Sequence, residues 1–171
     1  MKLTPDTFRS VIQQHQAMVF SIALRMLGDA GIAEEVAQDV FMDLHRNADR
    51  LTGDDHIIPW LRRVSLHRST DALRRRTRQP ETAAEEWSEE LGAQPSNPDL
   101  LPALGNRLEH LLQTLPESMR AVIILRYQED LSPDDIADLL DQPIATVKSN
   151  LKRALDLMRR KAQVTLKEFV R

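Results

Sequence analysis

Thr146, Lys148, Ser149, Asn150, Lys152 and Arg153 crowd into eight consecutive positions, and as a set they suit one kind of chemistry. They supply hydrogen-bond donors and fixed positive charge, with Arg or Lys matched to guanine, Asn to adenine, and any of them to phosphate oxygen. Ile144, Val147, Leu151, Leu155 and Met158 recur between them at steps of three and four, so the segment predicts a helix with its apolar face inward and the polar set outward. A shorter helix should precede it. Ser132 is a good N-cap, Pro133 suits the first helical position, and Asp134 and Asp135 complement the positive end of the helix dipole. Ala137 allows close approach of the two helices, and Val147, ten residues later, supplies the partner contact. Asp141, Gln142 and Pro143 break the chain between them, with Asp141 placed for a left-handed turn where Gly often stands. This is the build of a helix-turn-helix reader of duplex DNA.

The bland alternative is an amphipathic helix with a solvated basic face, and the partition of charge argues against it. Residues 129–141 carry six acidic groups and no Lys or Arg, whereas residues 144–171 carry eight basic groups against Asp156 and Glu168. Only the second helix can approach phosphate without repulsion. The formal charge of the 171 residues is −3, so nucleic-acid binding must rest on local patches. The absence of Cys excludes disulfide staples and thiol chemistry and fits a reducing compartment. No apolar run is long enough to span a bilayer, and MKLTPDTF lacks the apolar core of a secretion signal; no membrane insertion and a cytoplasmic location are expected. No Ser/His/Asp set, HExxH pair or phosphate-binding glycine loop occurs, so no catalytic residue, metal or cofactor is expected.

Three further elements precede this region. Thr4 and Pro5 open a helix whose apolar positions Phe8, Val11, Ile12, Val19, Ile22, Met26 and Leu27 run to a stop at Gly28. A second helix, about Ile32–Asn47, places Ile32, Val36, Val40 and Leu44 in one line and Glu35, Asp39 and Asp43 in the next. Like charges four apart repel by a few tenths of a kcal/mol per pair, so this stripe is either a tolerated solvated face or a dock for something basic. After a loop containing Asp49 to His56, a third helix is expected from about Ile58 to Arg78, with Ile57, Trp60, Leu61 and Val64 spaced for burial. Seven Arg between Arg62 and Arg78 face only Asp71, which suits a nucleic-acid backbone or else a solvated arginine-rich end. The composition then inverts. From Pro80 to Asn106 there are five Glu, one Asp, four Pro and no Lys or Arg, the composition of a linker. Such a tether averages roughly 25 to 30 Å, so the halves are free to separate. Leu104, Leu108, Leu111, Leu112 and Leu115 then form one helix, broken by Pro116, and Met119, Val122 and Ile123 another that buttresses the basic pair.

Taken in order, AEEVAQDVFMDL at Ala33–Leu44, WLRRVSLHRSTDALRRR at Trp60–Arg76 and LPESMRAVIILRYQEDLSPDDIADLLDQPIATVKSNLKRAL at Leu115–Leu155 closely resemble an extracytoplasmic-function sigma factor of bacterial RNA polymerase. The resemblance covers nearly the whole chain, and the order of the three motifs is far more specific than any one of them. It implies an all-α fold of two small helical domains on a flexible linker: sigma region 2 over residues 1–79, an acidic linker over 80–103, and over 104–171 a four-helix region 4 carrying the helix-turn-helix.

The resemblance also implies roles. Glu34, Glu35, Gln38 and Asp39, with Asp43 less central, would meet the clamp helices of the polymerase's largest subunit, the flap being a further contact, while Phe41 and Leu44 belong to the core. The loop Leu51–Ile58 would capture a flipped base of the minus-ten element, and His56, Arg63, His67, Asp71, Arg74, Arg75 and Arg76 would hold its non-template strand. His67 stands where many relatives carry Asn. Thr146, Lys148, Ser149, Asn150, Lys152 and Arg153 would read the minus-thirty-five duplex, with Lys152 in place of an aromatic found in some relatives. Core polymerase, promoter DNA and an anti-sigma factor are the expected partners. A dimeric helix-turn-helix regulator that never joins polymerase is the rival reading, with a helical adaptor that ignores DNA behind it.

Overall fold

The first helix, α1 (Pro5–Leu27), begins at a proline, whose missing N–H is harmless in a first turn, and buries Val11, Val19, Ile22, Ala23, Met26 and Leu27. Gly28 ends it in a left-handed conformation at φ +70°, its N–H returning to the Leu24 carbonyl at 2.7 Å. Asp29 then caps α2 (Ala30–Arg46), accepting the Ile32 N–H at 3.0 Å, and Ala33, Val36, Val40 and Leu44 form its buried line. The third helix, α3 (Asp54–Arg78), buries Ile57, Leu61, Leu66, Ser65 and Ser69, with Trp60 packed half-buried against the same core. In the computed structural model, which describes residues 5–51, 53–78 and 100–169, every regular element is a helix. Thr4, Thr52 and most of the linker fall outside the described residues.

The start of α3 differs from expectation. The apolar spacing places that start near Ile58. The helix runs through Pro59 from Asp54 instead, its first turn tied to the Gly53 carbonyl by the N–H groups of His56 and Ile57, both at 3.1 Å. His56 therefore sits in a helical turn and not in a loop.

Four helices follow the linker: α4 (Leu100–Gln113), α5 (Glu117–Tyr127), α6 (Pro133–Leu140) and α7 (Ile144–Phe169). The onset of α4 is four residues earlier than Leu104, so residues 100–103 are helix and not linker. Pro102 is tolerated because first-turn N–H groups have no helical partner anyway. From Arg120 to Leu125 every residue of α5 is buried, the signature of a helix covered on all sides. It packs on α6 and α7 and, across the linker, on α1, while α3 touches α6 and α1 touches α4. Val122, Ile124, Leu125, Ile136, Ala137, Leu139 and Val147 thus join the core of the first three helices in one apolar cluster, and Leu112, Leu115, Ile123 and Ala154 form a smaller one. The halves, free to part on sequence grounds, here lie against each other.

Leucine spacing overstates burial in the second half. Leu108 is 53% exposed and Leu155 37%, and with Tyr127 they line an open groove between α4, α5 and α7. No helix among the described residues is long and apolar enough to cross a membrane.

The α6 start is closed reciprocally. Ser132 Oγ accepts the Asp135 N–H at 3.1 Å and the Asp135 carboxylate accepts the Ser132 N–H at 3.1 Å and its hydroxyl at 2.6 Å. The hydroxyl and then the N–H of Ser132 hold the Asp135 carboxyl below its ordinary value, so this contribution is present at neutral pH and fades as pH falls through the lowered value. Two substitutions rank these terms in urea unfolding. Ser132→Ala should lower stability by about 1 kcal/mol through the lost cap. Ile136→Ala, at a fully buried site in the same helix, should lower it by about 2–5 kcal/mol.

Candidate nucleic-acid interface

Two buried side chains orient α7. Val147 and Ala154 are fully buried and Ile144 and Leu151 half-buried, which turns Thr146, Lys148, Lys152 and Arg153 to solvent and leaves Ser149 and Asn150 at the edge of the same face. The angle between α6 and α7 rests on Asp141, left-handed at φ 52°, ψ 50°, as its place in the turn predicts. The Gln142 N–H returns to the Ala137 carbonyl at 3.0 Å, and the Pro143 carbonyl accepts the Thr146 and Val147 N–H groups at 2.9 and 3.2 Å to start α7. Ala137 and Val147 are both in the core at this junction, as their spacing implies. Asp134, Asp138 and Asp141 are exposed around α6, so negative charge stays off the α7 face.

On α3, His56, Arg63, His67, Asp71 and Arg74 fall on one face by helical period. Arg75 is displaced to its side and exposed, and Arg76 turns toward α2, 3.9 Å from the Asp29 carboxylate. The shared face is occupied in part by the second half of the chain. Arg63 donates from Nε to the Leu139 carbonyl at 2.7 Å and from Nη2 to the Asp138 carbonyl at 3.3 Å. Arg74 donates from Nη2 and Nε to Glu117 at 2.6 and 3.2 Å, which holds its guanidinium above the ordinary arginine value. His67, Asp71 and Arg74 line a crevice of about 380 Å³ whose opposite wall is Glu117, Ser118, Ala121, Leu140 and Gln142.

On α2, Glu34, Glu35, Gln38 and Asp39 are exposed. Asp43 is not part of that open face. It accepts two hydrogen bonds from Arg68, one of them at 2.9 Å, and one from Arg46 at 3.2 Å, so it braces α2 against α3. Its hydrogen bonds raise the Arg68 guanidinium above the usual arginine value despite partial desolvation. Beside the acidic face lies an apolar groove of about 920 Å³, walled by Phe8, Ile12 and Phe20 from α1 and Ala37, Phe41 and Met42 from α2, with Glu34 and Gln38 on its rim. Leu44 is core as expected, but Phe41 is only half-buried and lines this groove.

Sequence reasoning missed Glu117, Glu129 and Arg120. Glu129 accepts from Arg62 Nε at 2.8 Å, with both side chains largely buried. Arg120 is buried in α5 and ties the end of α1 to the end of α4: it donates to the Met26 carbonyl, to Gln113 Oε1 at 2.9 Å and to the Gln113 and Leu115 carbonyls at 2.7 and 3.0 Å. Burial lowers its guanidinium pKa. Partners 43 to 94 residues away leave no local pattern to read.

Residues 11–79 match the family model for sigma-70 region 2, and residues 105–158 match that for sigma-70, region 4. With both regions present in order over most of its length, the chain belongs to the sigma-70 family, whose members direct RNA polymerase to promoters. It is 26% identical over 165 residues to the ECF RNA polymerase sigma factor SigW of Bacillus subtilis, covering 91% of this chain and 88% of that protein. It is 29% identical over 167 residues to the ECF RNA polymerase sigma-E factor of Escherichia coli K12, covering 91% and 86%. Within the family it is an extracytoplasmic-function sigma factor, a transcription initiation factor. Two solved structures share its fold. One is the sigma factor RpoE in complex with the anti-sigma factor NepR from Bartonella quintana (TM-score 0.70, 21% identity, 92% of this chain and 97% of that one). The other is CnrH in complex with the cytosolic domain of CnrY (TM-score 0.68, 18% identity, 94% and 90%).

Asp141 offers a test of how this interface is held. Asp141→Gly should preserve stability, whereas Asp141→Val, which brings a branched side chain into the left-handed region, should lower the thermal midpoint, with a strain of about 1–2 kcal/mol read by calorimetry.

Proposed function

We propose that Glu34, Glu35, Gln38 and Asp39 on α2 engage the basic clamp helices of the polymerase's largest subunit. The α3 face of His56, Arg63, His67, Asp71 and Arg74, flanked by Arg75 and Arg76, holds the non-template strand of the minus-ten element. The α7 face of Thr146, Lys148, Ser149, Asn150, Lys152 and Arg153 reads the minus-thirty-five duplex. Asp43 is a brace and not a polymerase contact. Residues 1–79 and 104–171 act as the two functional modules, the second also meeting the flap. The protein catalyses nothing itself and works in the cytoplasm.

The observation that carries this reading is the segregation of charge: exposed acid on α2, and exposed cations on α3 and α7, each on its own helix face. A net charge of −3 supports weak binding to free DNA and dependence on the polymerase for promoter selection. The open apolar grooves between α1 and α2 and between α4, α5 and α7 support regulation by an anti-sigma partner, since an occupant of the first would cover Glu34 and Gln38 and so compete with polymerase.

Run-off transcription with the cognate core polymerase on a genomic template tests the whole reading: start-site-specific RNA should depend on the added protein. Glu35→Lys with Asp39→Lys should abolish co-purification with core polymerase while circular dichroism stays helical; retained association would overturn the α2 assignment. Arg153→Ala should weaken minus-thirty-five binding by about 1–3 kcal/mol with relaxed sequence preference if it contacts a base. A smaller loss, uniform over all sequences, would place Arg153 on phosphate.

A further inference from the structure

We propose that Arg159 and Arg160 of α7 form a second DNA contact, a sequence-independent grip on the phosphate backbone that borders the groove α7 enters. This rests on the reading of α7 as the minus-thirty-five face. The region 4 match ends at residue 158, yet α7 runs on to Phe169. Of the eight basic groups between residues 144 and 171, five lie past Met158, with Glu168 the one acid among them. The pair Arg159 and Arg160 repeats Lys152 and Arg153 seven residues on. Seven residues are two helical turns to within about 20°, so the second pair stands on the same face as the first, about 10 Å further along the axis. The large apolar side chains that pack α7 end with Leu157 and Met158, while Arg159 and Arg160 are exposed.

Two ordinary reasons for cations on a helix do not account for this pair. Arginine near a helix C-terminus answers the dipole, but that effect is confined to the last turn, and Arg160 lies more than two turns before Phe169. Ion pairing within the helix answers one charge at most. The Asp156 carboxylate lies 3.7 Å from Arg159, and the Asp156 carbonyl accepts from Arg160 Nε at 3.4 Å. Lys152, Arg153, Arg159 and Arg160 thus share one carboxylate on this face, and the Arg159 side chain is 71% exposed. The dimensions suit a backbone. The major groove is about 12 Å wide and α7 about 39 Å long, so a helix that reads bases from Lys148 to Arg153 must leave the groove across a bordering strand. Two turns beyond Arg153, roughly the width of the groove, that strand is met, and its phosphate oxygens accept guanidinium N–H groups. An acidic protein surface is the other anion that a basic helix attracts; continuity with the base-reading face on one helix favours DNA. Such a grip adds affinity without sequence information and fixes the register of α7 in the groove.

The test uses the holoenzyme of the full chain with its cognate core polymerase, bound to a fluorescent duplex carrying the minus-thirty-five element and its flanks. Arg159→Gln with Arg160→Gln should weaken binding to cognate and scrambled elements by the same factor. It should also flatten the slope of log K against log salt by about 2, so that the deficit shrinks about ten-fold between about 50 and 200 mM salt. Arg160→Gln alone should give about half that slope change. Replacing single bordering phosphates with neutral methylphosphonates should weaken the native holoenzyme but not the double variant at one or two positions, a comparison in which the variant's altered charge cancels. Arg159→Lys with Arg160→Lys should restore the slope, since phosphate accepts a point charge. Both side chains are exposed, so circular dichroism should show helicity unchanged. An unchanged slope, or the same phosphate sensitivity in native and variant holoenzymes, would overturn the proposal. So would transcription lost with DNA binding intact, the mark of a protein partner. Arg153→Ala, measured alongside, separates the grip from the reading beneath it. Sequence preference that changes with Arg153 but a slope indifferent to Arg159 and Arg160 removes the grip alone. Binding indifferent both to Arg153 and to the minus-thirty-five sequence removes the reading, and the grip with it.

Discussion

A guanidinium group stays charged at any pH a cell offers, so each arginine must be hydrated or given hydrogen-bond acceptors. The seven arginines between Arg62 and Arg78 make that requirement the central constraint on this protein. The fold meets it in several ways. Arg68 is spent inside the first half on Asp43, locking α3 to α2. Arg62, Arg63 and Arg74 are met from across the linker by Glu129, the α6 carbonyls and Glu117. Arg75 faces solvent. One helix thus carries its own brace, its contact to the other half and its solvent-facing cations, and the allocation depends on which side of the helix each arginine occupies.

The contacts between the halves are of two kinds with different consequences. The apolar part, through α1 and α5, joins the cores into one cluster and is indifferent to salt and to competing phosphate. The polar part, along α3, is made of interactions that phosphate reproduces well. Arg120 belongs to neither class. Buried and capping the end of α1, it is a fixed structural tie whose desolvation is offset in part by four hydrogen bonds, its Nε having no partner.

What was legible in the chain followed from short-range rules. The Ser132 cap, the left-handed Asp141, the Ala137–Val147 contact, the stop at Gly28 and the outward cations of α7 each depend on neighbours a few residues away, which periodicity and turn chemistry capture. The departures have physical causes too. The helix α3 starts four residues before Ile58 because a first turn tied to the Gly53 carbonyl extends it toward the loop. Leucine spacing identified a helix at Leu104–Leu115 but not its burial, since a stripe wider than the neighbouring surface leaves Leu108 outside. Asp43 belonged to an acidic line on α2, and only the position of α3 turned it from an outward charge into a brace.

The amino-acid sequence by itself determined that the protein is helical, where most helices begin and end, and which faces carry acid or base, because these depend on periods of three to four residues and on local capping. Tertiary structure alone decided which of those charges are open and which are already matched. Arg62, Arg63 and Arg74 read identically along the chain as cations awaiting phosphate, and nothing within a few residues distinguishes them from Arg75. Their partners lie 43 to 76 residues away, and such pairings arise only when α5 and α6 pack against α3.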